Sequence, residues 1–198
     1  MNILINKSHY DSSRKRFLYN FTTSQTFKKK QITLQSLSLY NSFFNISAAN
    51  GNNKVTINFL GVDYAYTFND GFYSFSDINF ALQKFMISDK IYMISSTGKN
   101  VYYIELATNS IQYASQLNIY QVPTSATATA AGLTIPVGAP FVLPEIALAP
   151  TIIFNDAFGL LIGMVGGVYP AVQTEDTQTV STISPQISVI NSIVLTCN

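Results

Sequence analysis

The sequence predicts an all-β protein with one short helix, folded as an antiparallel β-sandwich. Three observations carry that expectation. Apolar and aromatic residues alternate with polar ones over several short runs, the period of two that a half-buried strand requires. Turn pairs such as Asn50-Gly51 and Asp70-Gly71 punctuate these runs at close spacing, which suits a sandwich or barrel rather than a parallel α/β sheet. Only one window, Ile78–Met86, carries a helical stripe.

Taken in order, residues 1–16 read as a basic, polar arm, and residues 17–198 as one domain. Phe17, Tyr19 and Phe21 alternate in a first strand, or in an arm that adds to a neighbour's sheet. Ile32, Leu34, Leu37 and Leu39 alternate with a slip in phase near Ser36, which a bulge explains. Phe43–Ser47 extends this segment, and Asn50-Gly51 is a hairpin signal before Val55, Ile57 and Phe59. Beyond Gly61, Val62, Tyr64, Tyr66 and Phe68 point one way and Asp63, Ala65 and Thr67 the other. Asn69-Asp70-Gly71 breaks the run, since Asp-Gly tolerates positive φ.

After a short extended piece at Phe72–Phe75 the rhythm changes. Ile78, Ala81, Leu82, Phe85 and Met86 form one stripe on a helix, with Ser76 as its expected N-cap and Asp77 in the first turn. Short strands are then expected at Ile91–Ser95, Val101–Leu106, Ile111–Ala114 and Leu117–Val122. Thr124–Ala131 is a small-residue tract opening a long Ala/Pro-rich loop over 123–150; ordered loops of that length often serve function. Thr151–Phe154 resumes extended structure, Val172–Ser184 reads as a polar connection, and Ile187, Val189, Ile193 and Leu195 mark a closing strand. Ile190 and Val194 on its other face make it a central strand. The abrupt end after that strand points to a clipped chain or a fragment of a longer protein.

Composition narrows the class. The 198 residues suit one domain, and 47% apolar content with 14 Phe and 12 Tyr supplies a core. Charged residues make up 11%, against roughly 25% in ordinary soluble domains. A sparsely charged surface can be buried against other chains without desolvating ions, which favours assembly. The charges are also segregated. Residues 1–30 hold seven Lys and Arg against one Asp, a net of +6, whereas the remainder holds four Lys against nine acids, a net of −5. Lys7, Arg14, Lys15, Arg16, Lys28, Lys29 and Lys30 are therefore the candidate contact residues, suited to a phosphate backbone or an acidic neighbouring subunit. A merely solvated arm is the plainer alternative.

Catalytic chemistry is not expected. The single His9 lies in the basic arm and the single Cys197 at the far end, so neither an internal disulfide nor a Cys/His metal cluster can be assembled. No phosphate-binding glycine motif occurs. The acids are isolated apart from Glu175-Asp176, and no cofactor is implied. Met1–Tyr10 lacks the apolar core of a secretory signal. The most apolar run, Ala157–Val168, has 12 residues, against about 20 needed to span a bilayer. Aromatic residues read first as core and interface filling; a glycan platform would be expected to include Trp, and there is none.

Three stretches carry a resemblance. YTFNDGFYSFSDINFALQKFM, ILINKSHYDSSRKRFLYNFTTSQTF and the closing ISVINSIVLTCN resemble minor capsid proteins of virophages and polinton-like viruses, the penton-type subunits of the double-jelly-roll lineage. The matching features are Gly71-Phe72-Tyr73-Ser74 leading into Ile78-Asn79 and Leu82. The stretch from Phe158-Gly159 through Gly163 and Gly167 to Tyr169-Pro170 is similar as well. The resemblance implies a single jelly roll assembled as a homopentamer at capsid vertices, in virions built inside an infected host cell. It further implies the major capsid protein as a partner, with packaged DNA a candidate for the arm. A non-pentameric minor capsid or cement protein, and a receptor- or glycan-binding jelly roll, are the alternatives.

Overall fold

The structure is a computed structural model that describes residues 10–13, 16, 17, 23 and 44–187. The chain divides into two units, Met1–Tyr40 with Leu195–Asn198, and Asn41–Val194. The strand expectations at Tyr19 and Phe21, at 32–39 and at 189–195 lie outside the described residues.

In the first unit, β1 (Tyr10–Asp11) pairs antiparallel with β2 (Arg16–Phe17), with Tyr10 opposite Phe17 and Asp11 opposite Arg16. Asp11 Oδ1 accepts from both the N–H and the hydroxyl of Ser13, an Asx-type turn that closes the ribbon. Part of the expected arm is therefore a short hairpin.

The described part of the second unit is mostly β, built of antiparallel sheets with three short helices. β3 (Lys54–Phe59) and β4 (Val62–Thr67) form a hairpin across Leu60-Gly61, whose φ values of 50° and 85° are the paired positive angles of a type I′ turn. Glycine bears the second angle without cost, and Leu60 adopts the first. β9 (Thr151–Phe154) pairs with the other side of β3, and β10 (Gly167–Tyr169) with β9, giving a four-stranded sheet in the order β10-β9-β3-β4. The three-stranded sheet is ordered β11-β8-β7, from β7 (Ile104–Asn109), β8 (Ala114–Ile119) and β11 (Thr177–Val180). A two-stranded ribbon of β5 (Met93–Ile94) and β6 (Asn100–Val101) stands between them in the chain.

Both larger sheets bury their inner side chains in one core. Val55, Ile57 and Phe59 of β3 and Ile152 and Phe154 of β9 belong to the same cluster as Ile104, Leu106, Leu117 and Ile119 of the three-stranded sheet. Ile78, Leu82 and Met86 of α1 (Phe75–Ser88) complete it, the buried part of the predicted stripe. A train of rings runs from α1 across the sheet. Phe85 lies 4.8 Å from Tyr66, Tyr66 4.7 Å from Phe68, Phe68 5.6 Å from Phe158, Phe158 5.6 Å from Phe154, and Phe154 5.2 Å from Tyr169. Tilted and offset contacts at these separations add to what burial alone supplies.

Several local expectations are corrected. The N-cap of α1 is Ser74, not Ser76. Ser74 Oγ accepts from the Asp77 N–H while Asp77 accepts from the Ser74 N–H, a capping box that Ser76, with Asn79 three residues on, could not form. Ile111–Ala114 is not a strand; residues 110–113 turn between β7 and β8, with Tyr113 at φ 51° and the Ile111 and Tyr113 side chains about nine-tenths exposed. The 123–150 segment holds a short helix, α2 (Ser125–Ala130), capped by the Thr124 side chain. The polar connection at 172–184 contains β11, recruited into the sheet by its ladder with β8 rather than by any apolar alternation. Asn50-Gly51 turns the chain without making a two-strand hairpin, because Ile46 on its far side bridges Gly71.

The apolar run at 157–168 is divided between α3 (Asp156–Ile162) and β10. Gly163 ends α3 in the left-handed conformation at φ 79°. A Cβ on Gly159 would lie 2.6 Å from the Met164 carbonyl, so glycine there permits the chain to fold back tightly on the helix. Among the described residues, no helix is long and apolar enough to cross a membrane.

Candidate interaction surfaces

Four acids of the second unit, Asp70, Asp77, Asp156 and Asp176, are engaged with backbone. Asp70 Oδ1 accepts from the Ala48 N–H at 2.8 Å, Asp156 Oδ1 from Gly166 at 3.1 Å and Asp176 Oδ1 from Gln121 at 2.7 Å. These carboxylates hold turns. The hydrogen bonds from the Ser74 hydroxyl and N–H keep the Asp77 carboxyl below its ordinary pKa. No group of three or more His, Cys, Asp or Glu is placed to hold a metal ion among the described residues. His9 and Cys197 lie outside them. Of the basic contact residues, Arg16 sits in β2 opposite Asp11; Lys7, Arg14, Lys15, Lys28, Lys29 and Lys30 also lie outside the described residues.

Burial raises the phenol pKa at three tyrosines. Tyr103 is pushed to about 12 by desolvation, and among the described residues its hydroxyl has no hydrogen-bond partner. Tyr64 and Tyr66 are raised chiefly by burial, with the Asp89 charge adding at Tyr64 and Tyr73 at Tyr66.

Two six-residue strands lie outermost in their sheets, and they are treated differently. α1 packs along β7, and Asn79 Oδ1 accepts the outward Leu106 N–H at 2.9 Å. Between helix and strand lies an open groove of about 600 Å³ lined by Ser76, Asp77, Phe80, Gln83, Glu105 and Thr108. Phe80 is 57% exposed there, with Lys84 Nζ 4.6 Å from its ring centre.

Among the described residues β4 has no such cover. The Phe68 N–H donates to the Asn53 carbonyl at 2.8 Å, which sets the phase of the β3–β4 ladder. Val62, Tyr64, Tyr66 and Phe68 therefore direct their amides and carbonyls at β3, and Asp63, Ala65 and Thr67 direct theirs away. Among the described residues no hydrogen bond reaches these outward groups, and all three side chains are exposed. A third feature is apolar: Val137, Val142 and Ile146 on the 123–150 segment are 95%, 82% and 76% exposed.

The sequence reading missed a cluster of buried amides. Asn45 Nδ2 donates to the Tyr73 and Ile187 carbonyls at 2.7 and 2.8 Å, and its Oδ1 accepts the Tyr73 N–H at 2.8 Å. Asn52 bridges the Asn45 carbonyl and the Ser47 N–H. The available signal was the density of Asn around 45–53, which the hairpin reading of Asn50-Gly51 absorbed. Compared with known proteins, the chain matches no family model, no curated protein and no solved structure.

Proposed function

We propose that this chain is a structural virion protein, a penton-type minor capsid subunit with a jelly-roll arrangement of its strands that forms homopentamers at capsid vertices. The observation that carries the reading is the exposed apolar surface of the 123–150 segment on a sparsely charged antiparallel β body, together with the sequence resemblance. Val137, Val142 and Ile146 are side chains a subunit would cover with a neighbouring copy or with the major capsid protein. The basic residues of the first thirty positions supply a site for packaged DNA or an acidic neighbour. Light scattering on the purified chain tests the reading. A particle of about five times 21.8 kDa supports it, and a stable monomer at every concentration overturns it.

A second reading draws on the groove between α1 and β7. An exposed ring at Phe80 beside the amide of Gln83 and the carboxylates of Asp77 and Glu105 is the mixture of stacking and polar groups that sugars accept. Glycan-array binding lost on Phe80→Ala would favour a receptor-binding module over a vertex subunit.

A further inference from the structure

We propose that β4 is a self-recognition edge, on which the β4 strand of a second copy docks antiparallel to give one continuous sheet across a twofold axis at Ala65. The outward amides and carbonyls of Asp63, Ala65 and Thr67 are spaced to make a ladder, and no side chain or helix among the described residues caps them. What selects a second copy of the same strand is its charge pattern. With Ala65 facing the partner's Ala65, each Asp63 falls opposite a Thr67, whose hydroxyl can donate to the carboxylate. Lys54 stands directly behind that Thr67 in register, so each Asp63 approaches a positive charge at the far side of the new pair. On the other face Tyr64 of one copy meets the partner's Tyr66, a favourable aromatic cross-strand pair. Sliding the partner by four residues, so that Asp63 faces Asp63, would set the two carboxylates against each other; sliding it by two in that direction would leave each Asp63 opposite Ala65 with no donor, and sliding it by one would turn the outward groups out of phase.

This inference goes beyond the vertex reading and does not rest on it. A twofold contact uses the same patch on both copies, whereas a five-membered ring needs two different patches, so the β4 pair joins copies whether or not rings form.

The test uses the full chain in a dilution series, read by hydrogen exchange and by sedimentation. The expected result is that amides of Asp63, Ala65 and Thr67 become protected as concentration rises, in step with a doubling of mass. Ala65→Pro removes the outward N–H without touching the ladder to β3, and should weaken this association more than about tenfold. The register is tested by charge: A65K and A65E alone associate poorly, and their mixture associates roughly fivefold more tightly than either. Circular dichroism shows that each variant remains folded. Protection at 62–68 that does not change on dilution would mean the chain's own segments occupy the edge, and would overturn the proposal. Association that Ala65→Pro leaves intact would place the contact elsewhere and overturn it equally.

Discussion

Among the described residues β4 and β7 are both six residues long and both lie outermost in their sheets, yet β7 is sealed and β4 is open. β7 has α1 along its side and an Asn79 oxygen accepting the Leu106 amide. β4 presents three outward peptide groups that, among the described residues, are flanked only by exposed Asp63, Ala65 and Thr67. An open ladder edge of this length is a liability in a lone molecule, and proteins usually blunt it with charge, proline, a bulge or cover. Here β4 carries one charge, Asp63, and that carboxylate is engaged by Asn58 Nδ2 at 2.6 Å. The contrast teaches that burial and edge protection are separate problems. α1 solves both for β7 with a single stripe, while β4 solves only the first, through Tyr64, Tyr66 and Phe68.

The largest effect is expected from removing the cover. Leu82 is buried to within 1% on the inner face of α1, so Leu82→Ala should cost about 2–5 kcal/mol in urea unfolding. The Leu106 amide should then exchange faster. A more selective change is Asn79→Ala, which leaves that part-buried amide without its acceptor and should cost about 1 kcal/mol. Asn79→Asp keeps an oxygen in place and should recover most of it. If Asn79→Ala alters neither stability nor exchange at Leu106, the helix alone seals the edge.

A smaller effect lies where the two sheets meet. Tyr103 immediately precedes β7 and packs against Phe59 of β3, ring centres 6.3 Å apart. Its folded-state pKa, raised to about 12 from the ordinary 10.0, means that folding favours the neutral phenol. That contribution is complete below pH 10 and is lost as pH rises toward 12. Tyr103→Phe should change stability by less than about 1 kcal/mol at pH 7, because the hydroxyl has no partner to lose. It should also flatten the decline in urea midpoint between pH 10 and 12. The smallest effect is expected on the open edge itself. Ala65→Lys should shift the unfolding free energy of the dilute chain by no more than about 0.5 kcal/mol, with the fast exchange of the Ala65 amide unchanged.

The legible parts of this fold are those where burial writes a period into the chain. β4 shows its alternation because one face meets the core, and α1 shows its stripe because Ile78, Leu82 and Met86 do. β11 was hidden since a polar outer strand, Thr177–Val180, has no buried face to mark; only its ladder to β8 makes it a strand. Ile111 and Tyr113 misled for the opposite reason, being β-favouring residues carried on an exposed turn. The Ser74 cap was readable from its spacing to Asp77, and Ser76 competed only by lying nearer the stripe. The basic contact residues are legible as charge, but charge alone does not say what they touch.

The Asn45 amide has a consequence for the order of events during synthesis. Its Nδ2 group holds carbonyls of Tyr73 and Ile187, the latter 142 positions downstream. A growing polypeptide can complete the Asn45–Tyr73 half of this clasp early, but the other half must wait until residue 187 has left the ribosome. Closure over so great a sequence separation is a slow kind of step. The interval before it is when the unsealed β4 strand is most exposed to the wrong company.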